Sequence, residues 1–167
     1  KSSDRTFSVG GALFGSAVHH ILEMGATNND LVEERLFATV DGWSISGMAD
    51  LQEYYDDRSI AISDYKVTTA FAIMKEDDEV KAEWEQQLNL LALFARYGGY
   101  DVRKVQIVAL MRDWRKNERL RYGAEYPERQ VAVVPIRLWS ETEAQVFLEA
   151  RVALHQAARD TLPDCTP

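Results

Sequence analysis

The chain has 167 residues, 46% of them hydrophobic and 28% charged, with a formal net charge of −8. That length suits one domain with a core of its own, expected over 1–167, and the acidic balance argues against a broad nucleic-acid-binding surface. No apolar run approaches the roughly 18 residues of a membrane span, and the single cysteine, Cys165, excludes an intrachain disulfide or a cysteine-built metal cluster, so a reducing, cytoplasmic compartment is expected.

Nothing at the N-terminus has the pattern of a signal peptide. The sequence starts at Lys1 rather than Met and is expected to be trimmed or cut from something longer. Residues 10–24 read as a helix, with Leu13, Val18, Ile21 and Leu22 on one side and Gly25 as a stop. A strand follows over 31–40, then an Asp41-Gly42 hairpin turn and a second strand over 43–55. Asp56-Asp57-Arg58 turns the chain into a third strand over 59–67. Residues 78–97 form a strongly amphipathic pattern closed by Gly98-Gly99, which predicts a long helix. A fourth strand is predicted over 102–114, a basic loop over 116–129 and a fifth strand over 130–139. Ser140 is placed to cap a last helix that runs to Arg159. The order α-βββ-α-ββ-α predicts an α/β fold, a central mixed five-stranded sheet flanked by helices.

Chemistry concentrates in the third strand. In Asp64-Tyr65-Lys66 the carboxylate and the amine are two residues apart, and on a strand they project from one face. A carboxylate able to hold a metal beside an ammonium able to steer a water or phosphate oxygen suits phosphodiester cleavage. The triplet alone is weak: with 27 acids in 167 residues it is expected about once by chance. It recurs at Glu79-Val80-Lys81, at a helix start, where such residues diverge. If the hairpin turn centres on Asp57, Asp50 falls opposite Asp64 and Met48 opposite Lys66. Two carboxylates that close repel, and a divalent cation between them removes the penalty. The alternative is a solvated hairpin with incidental acids.

Two further residues join this group. His19 sits in the first helix, where a lone histidine is more often a core or boundary residue than a ligand. Gln87 lies on the Trp84/Leu88/Leu91 side of the long helix and needs a hydrogen-bonding partner there. Charge is uneven along the chain: residues 1–84 carry a net of −9 and residues 85–167 a net of +1. Within the second half Arg112, Arg115, Lys116, Arg119 and Arg121 cluster, as a solvated loop or as a strip contacting phosphates.

These residues stand in a familiar order: Gly15-Ser-Ala-Val-His19, Gly47-Met-Ala-Asp50, Asp64-Tyr-Lys66 and Gln87-Leu-Asn-Leu-Leu91. The chain thereby resembles the RecB-like branch of the PD-(D/E)XK nucleases, over about residues 10–115. The resemblance implies a restriction-endonuclease-like fold and a Mg²⁺- or Mn²⁺-dependent deoxyribonuclease of phage or bacterial exonuclease type, acting on DNA single strands or free ends. It makes His19, Asp50 and Asp64 metal ligands with the Tyr65 backbone carbonyl, Lys66 catalytic, and Gln87 an orienting group. Leu91 stands where relatives carry a tyrosine, and the cysteines that hold an iron–sulfur cluster in the CRISPR-adaptation nucleases and some other relatives are absent. The alternatives are a nuclease-fold module that binds DNA or protein without cutting and, further off, a sequence-specific restriction endonuclease.

Overall fold

Alternating side chains build the first hairpin. β1 (Asp30–Val40) and β2 (Trp43–Tyr54) pair antiparallel across Asp41 and Gly42, which adopt φ of 50° and 78°. Two successive positive φ values are the turn whose twist matches paired strands, and Asp-Gly suits it. The computed structural model describes residues 30–74 and 78–159. The helix predicted over 10–24, with His19, lies outside them.

β3 (Ser59–Thr68) returns antiparallel to β2 over four pairs, from Leu51↔Ser63 to Tyr54↔Ile60. In each pair the two residue numbers add to 114, the predicted register. Asp57 secures the turn: its carboxylate accepts the Ser59 hydroxyl at 2.6 Å and the Ser59 amide at 3.2 Å. After β3 come a short helix α1 (Ala70–Met74) and the long helix α2 (Asp78–Tyr97). They form the crossover that a parallel strand pair requires, because β4 (Asp101–Met111) runs parallel to β3. Helix α3 (Lys116–Tyr122), a 3₁₀ turn (Gly123–Glu125), β5 (Val131–Ile136) and helix α4 (Glu141–Arg159) complete the chain. The five strands lie in the order β1-β2-β3-β4-β5, antiparallel except for β3–β4. The molecule is thus α/β, with a mixed five-stranded sheet flanked by helices.

The main core lies between the sheet and α2. Leu88, Leu91, Ala92 and Ala95 of α2 meet Ile60 and Ile62 of β3 and Val105, Ile107 and Ala109 of β4, and Ala144, Leu148 and Val152 of α4 join from the helix side. A buried asparagine ties α2 to the segment before α4. Asn89 donates to the carbonyls of Glu85 and Arg137, each at 2.8 Å, and accepts the Trp139 N–H at 2.7 Å. A second, smaller core of Ala70, Met111 and Tyr126 lies where α1, the end of β4 and the 3₁₀ turn meet. No described helix is long and apolar enough to cross a membrane.

Four details differ from the sequence reading. The predicted loop 116–129 contains α3 and the 3₁₀ turn. Its one strongly apolar residue, Leu120, is 79% exposed, so α3 buries no stripe that periodicity could reveal. It is held instead by Arg119, whose guanidinium donates to the Gly123 and Tyr126 carbonyls. β4 stops at Met111 rather than 114, because Asp113 turns away to accept the Ala70 amide at 2.7 Å and the Trp114 indole donates to the Pro127 carbonyl. β5 is shorter than predicted at both ends. The strand after Ile136 gives way where the Trp139 amide leaves for Asn89. Helix α1 was not anticipated, being little more than one turn.

Candidate active site

β3 is the strand with the deepest burial. Every residue from Ser59 to Asp64 is buried, and exposure begins at Tyr65. A buried aspartate at the end of such a strand needs compensation. Asp64, 2% exposed, receives it from two directions. The Lys66 ammonium lies 2.7 Å from one carboxylate oxygen, and the Gln87 amide donates to the other at 2.9 Å. Alternation along the strand supplies the first partner, since Asp64 and Lys66 share a face. The crossover helix supplies the second by passing over that face.

Asp50 approaches from the neighbouring strand. Just beyond the β2–β3 ladder its carboxylate accepts the backbone N–H of Tyr65 at 2.8 Å. The paired register ends at Leu51↔Ser63, and the hydrogen bond holds the Asp50 carboxylate beside the residue that follows Asp64. The close passage of α2 depends on Gly47. A Cβ built there would stand 2.6 Å from Leu91 Cδ2 and 3.6 Å from Phe94. Gly47 and Leu91 therefore set how near the Gln87-bearing helix lies to the Asp50-bearing strand. Two residues along β2, buried Gln52 donates to Glu34 at 2.9 Å, and the Tyr54 hydroxyl donates to the same carboxylate at 3.3 Å. Burial, reinforced by Tyr100 and Glu34, pushes the Tyr54 hydroxyl pKa well above its ordinary value.

The structure thus brings Asp50, Asp64, Tyr65, Lys66 and Gln87 together around the end of β3. His19 lies outside the described residues. Among the described residues, no three His, Cys, Asp or Glu side chains gather as a metal-binding group. The side-chain oxygens at hand are those of the Asp50 and Asp64 carboxylates. Hard, all-oxygen donors of this kind suit Mg²⁺ or Mn²⁺. Positive charge is accepted at this point, since the Lys66 ammonium already sits against the buried carboxylate.

The basic residues divide by role. Arg112, Arg115, Lys116 and Arg121 are exposed, and among the described residues none of them is ion-paired. Arg119 differs, because its guanidinium is held by the backbone carbonyls of Gly123, which ends α3, and Tyr126, which follows the 3₁₀ turn. Reading the arginines alone passes over the aromatic residues between and beside them. Phe71 of α1 meets Tyr122 edge-on at 5.6 Å, Tyr122 stacks with Tyr126 at 6.3 Å, and the Arg121 guanidinium lies 5.2 Å over the Tyr122 ring. The available signal was the pair Tyr122 and Tyr126, four residues apart in an arginine-rich segment.

No family model matches the chain, and no curated protein matches it. Among solved structures the fold is similar to the crystal structure of SSO0001, with a TM-score of 0.55 and 17% identity over 86% of this chain and 60% of that one. The chain therefore spans about 60% of the length of that protein. At this identity the likeness is one of fold.

Proposed function

We propose that the chain is a metal-dependent deoxyribonuclease of restriction-endonuclease-like fold, an exonuclease hydrolysing phosphodiester bonds in DNA single strands or at DNA ends. The observation that carries this reading is the division of one buried carboxylate, Asp64, between the Lys66 ammonium and the Gln87 amide, with Asp50 bound to the next peptide group. A structural ion pair does not need a helix-borne amide to fix the rotamer of its carboxylate; a ligand that must present one oxygen in a fixed direction does.

Asp50, Asp64 and the Tyr65 carbonyl would hold Mg²⁺ or Mn²⁺, with His19 as a further ligand by resemblance. When bound, the metal neutralises phosphate charge and acidifies a water. Lys66, with its side chain 30% exposed, can reach beyond Asp64 to solvent and to a substrate oxygen. There it orients the attacking water and offsets negative charge as the phosphorus centre is attacked. Gln87 holds Asp64 in place, and the Tyr65 amide does the same for Asp50. No iron–sulfur cluster enters this reading.

The test is cleavage of end-labelled single- and double-stranded DNA with Mn²⁺ or Mg²⁺, comparing wild type with Lys66→Ala and Asp64→Asn. Loss of cleavage in both variants is expected. Undiminished cleavage in both would remove this site from the reaction. Absence of cleavage by the wild type would leave a fold that binds without cutting.

A further inference from the structure

The C-terminal ends of the parallel strands β3 and β4 carry more than the carboxylates. Past Lys66 the chain runs to Thr68, whose carbonyl accepts the Arg112 amide at 3.0 Å, and into α1, whose first amide is held by Asp113. Phe71 of α1 is 42% exposed although its neighbours Ala70 and Tyr126 are buried at 0% and 1%. It is mounted on a packed base and presented outward. Tyr122 stands edge-on to it, and Arg121 lies over Tyr122. Arg112, Arg115 and Lys116 of the same segment are exposed and, among the described residues, not ion-paired, in a protein whose net charge is −8, and the Arg115 amide donates to the Tyr126 hydroxyl at 3.0 Å. Phe71 is the fifth residue after Lys66, so their Cα atoms are at most about 18 Å apart, a few nucleotides.

We propose that Phe71, with Tyr122 and Arg121, is a stacking platform for the unpaired bases of single-stranded DNA, feeding the strand toward Lys66. The choice of DNA rests on the nuclease reading given above; the choice of a single strand rests on the platform. Paired bases hide their faces inside a duplex, whereas a single strand offers each face to an aromatic ring or a guanidinium plane. An exposed ring with cations on its flanks serves the second kind of ligand. Phosphates meet Arg112, Arg115 and Lys116 while a base covers Phe71. The platform is indifferent to base identity, because every base has a π-face.

The experiment measures binding of a fluorescein-labelled oligothymidylate and of a matched duplex by anisotropy. It is done in a Lys66→Ala background, where cutting does not interfere. Adding Phe71→Ala is expected to weaken oligothymidylate binding by roughly 5- to 100-fold and leave duplex binding within about twofold. Phe71→Trp, which keeps a ring, is expected to retain the affinity. An abasic strand with the same phosphates gives a test without altering the platform: the background protein should bind it as weakly as the Phe71→Ala protein binds oligothymidylate. Equal affinity for the abasic and the base-bearing strand, or an unweakened Phe71→Ala protein, would overturn the platform. Either result beside Lys66-dependent cleavage by the wild type overturns this inference alone. Phe71-dependent binding beside a wild type that never cleaves overturns the nuclease reading alone.

Discussion

Gln87 Nε2 and Asp64 Oδ1 lie 2.9 Å apart, joining the crossover helix to the buried end of β3. The hydrogen bond makes the direction of one carboxylate depend on where a helix sits. Replacing Gln87 with Leu keeps the volume and removes the donor. The expected result is a fall in kcat of about 10- to 100-fold with KM little changed, and a higher metal concentration at half-maximal activity. Wild-type metal dependence in the variant would show that Gln87 does not orient the site.

Lys66→Ala takes the ammonium from a carboxylate that is 2% exposed. Cleavage is expected to fall by at least about 100-fold. The folded state is expected to lose about 1–3 kcal/mol, less than a fully buried pair because the lysine side chain is 30% exposed. A divalent cation can replace the missing charge, so Mn²⁺ should raise the melting temperature of the variant more than that of the wild type. Calorimetry with and without Mn²⁺ reads this, and a smaller rise in the variant counts against a cation beside Asp64.

Gly47→Ala forces a Cβ to within 2.6 Å of Leu91 Cδ2. The clash falls on the end of a side chain that is itself 3% exposed, so a cost of about 1–2 kcal/mol is expected in urea denaturation. Leu91→Ala alone should cost about 2–4 kcal/mol. The double variant should cost less than the two added together, because removing Leu91 makes room for the new methyl group. Strict additivity would mean that the two residues do not set the helix-to-strand approach.

Salt dependence is the test of whether the basic segment divides into binding and structural residues. Arg115→Gln and Lys116→Gln should each lower the slope of log affinity for DNA against log salt by about 1. Arg119→Gln should instead lower thermal stability, since it removes the donors to the Gly123 and Tyr126 carbonyls. A salt slope that shifts with Arg119 and not with Lys116 would reverse these roles.

Acid stability should respond to Asp57. Its pKa lies below the usual 3.8 because the Ser59 hydroxyl and amide bind the charged form, with Arg103 adding to this. A carboxylate depressed by folding contributes stability above its unfolded pKa and loses it as pH falls through the folded value. Asp57→Asn should therefore lower stability at neutral pH and flatten the decline below about pH 4. An unchanged acid limb in pH-dependent melting would exclude that contribution.

Much of this architecture was legible because it rests on short-range periodicity. The bounds of α2, 78–97, follow from its apolar stripe and the Gly98-Gly99 stop, and Gly99 adopts φ +88° there. The 114 register followed from a turn centred on Asp57. The side-by-side Asp64 and Lys66 required only that strands alternate. Helix α3 was hidden because Leu120 points to solvent, leaving no apolar face to detect. The role of Gly47 was hidden for a different reason: a contact with Leu91, more than forty residues on, leaves no local trace. Asn89 reads as one polar residue among leucines until Arg137 and Trp139 come against it.

The two cores give the protein two levels of resistance to opening. Among the described residues, twenty buried ones support α2 and the centre of the sheet, whereas three support α1, α3 and the 3₁₀ turn. Cooperative units with so little buried apolar surface open at a lower free energy than the whole molecule. Amide exchange in α3 should therefore run ahead of exchange in α2, and by a route that leaves Asp64 enclosed. The small core can thus open while the packing around α2 and the centre of the sheet stays closed.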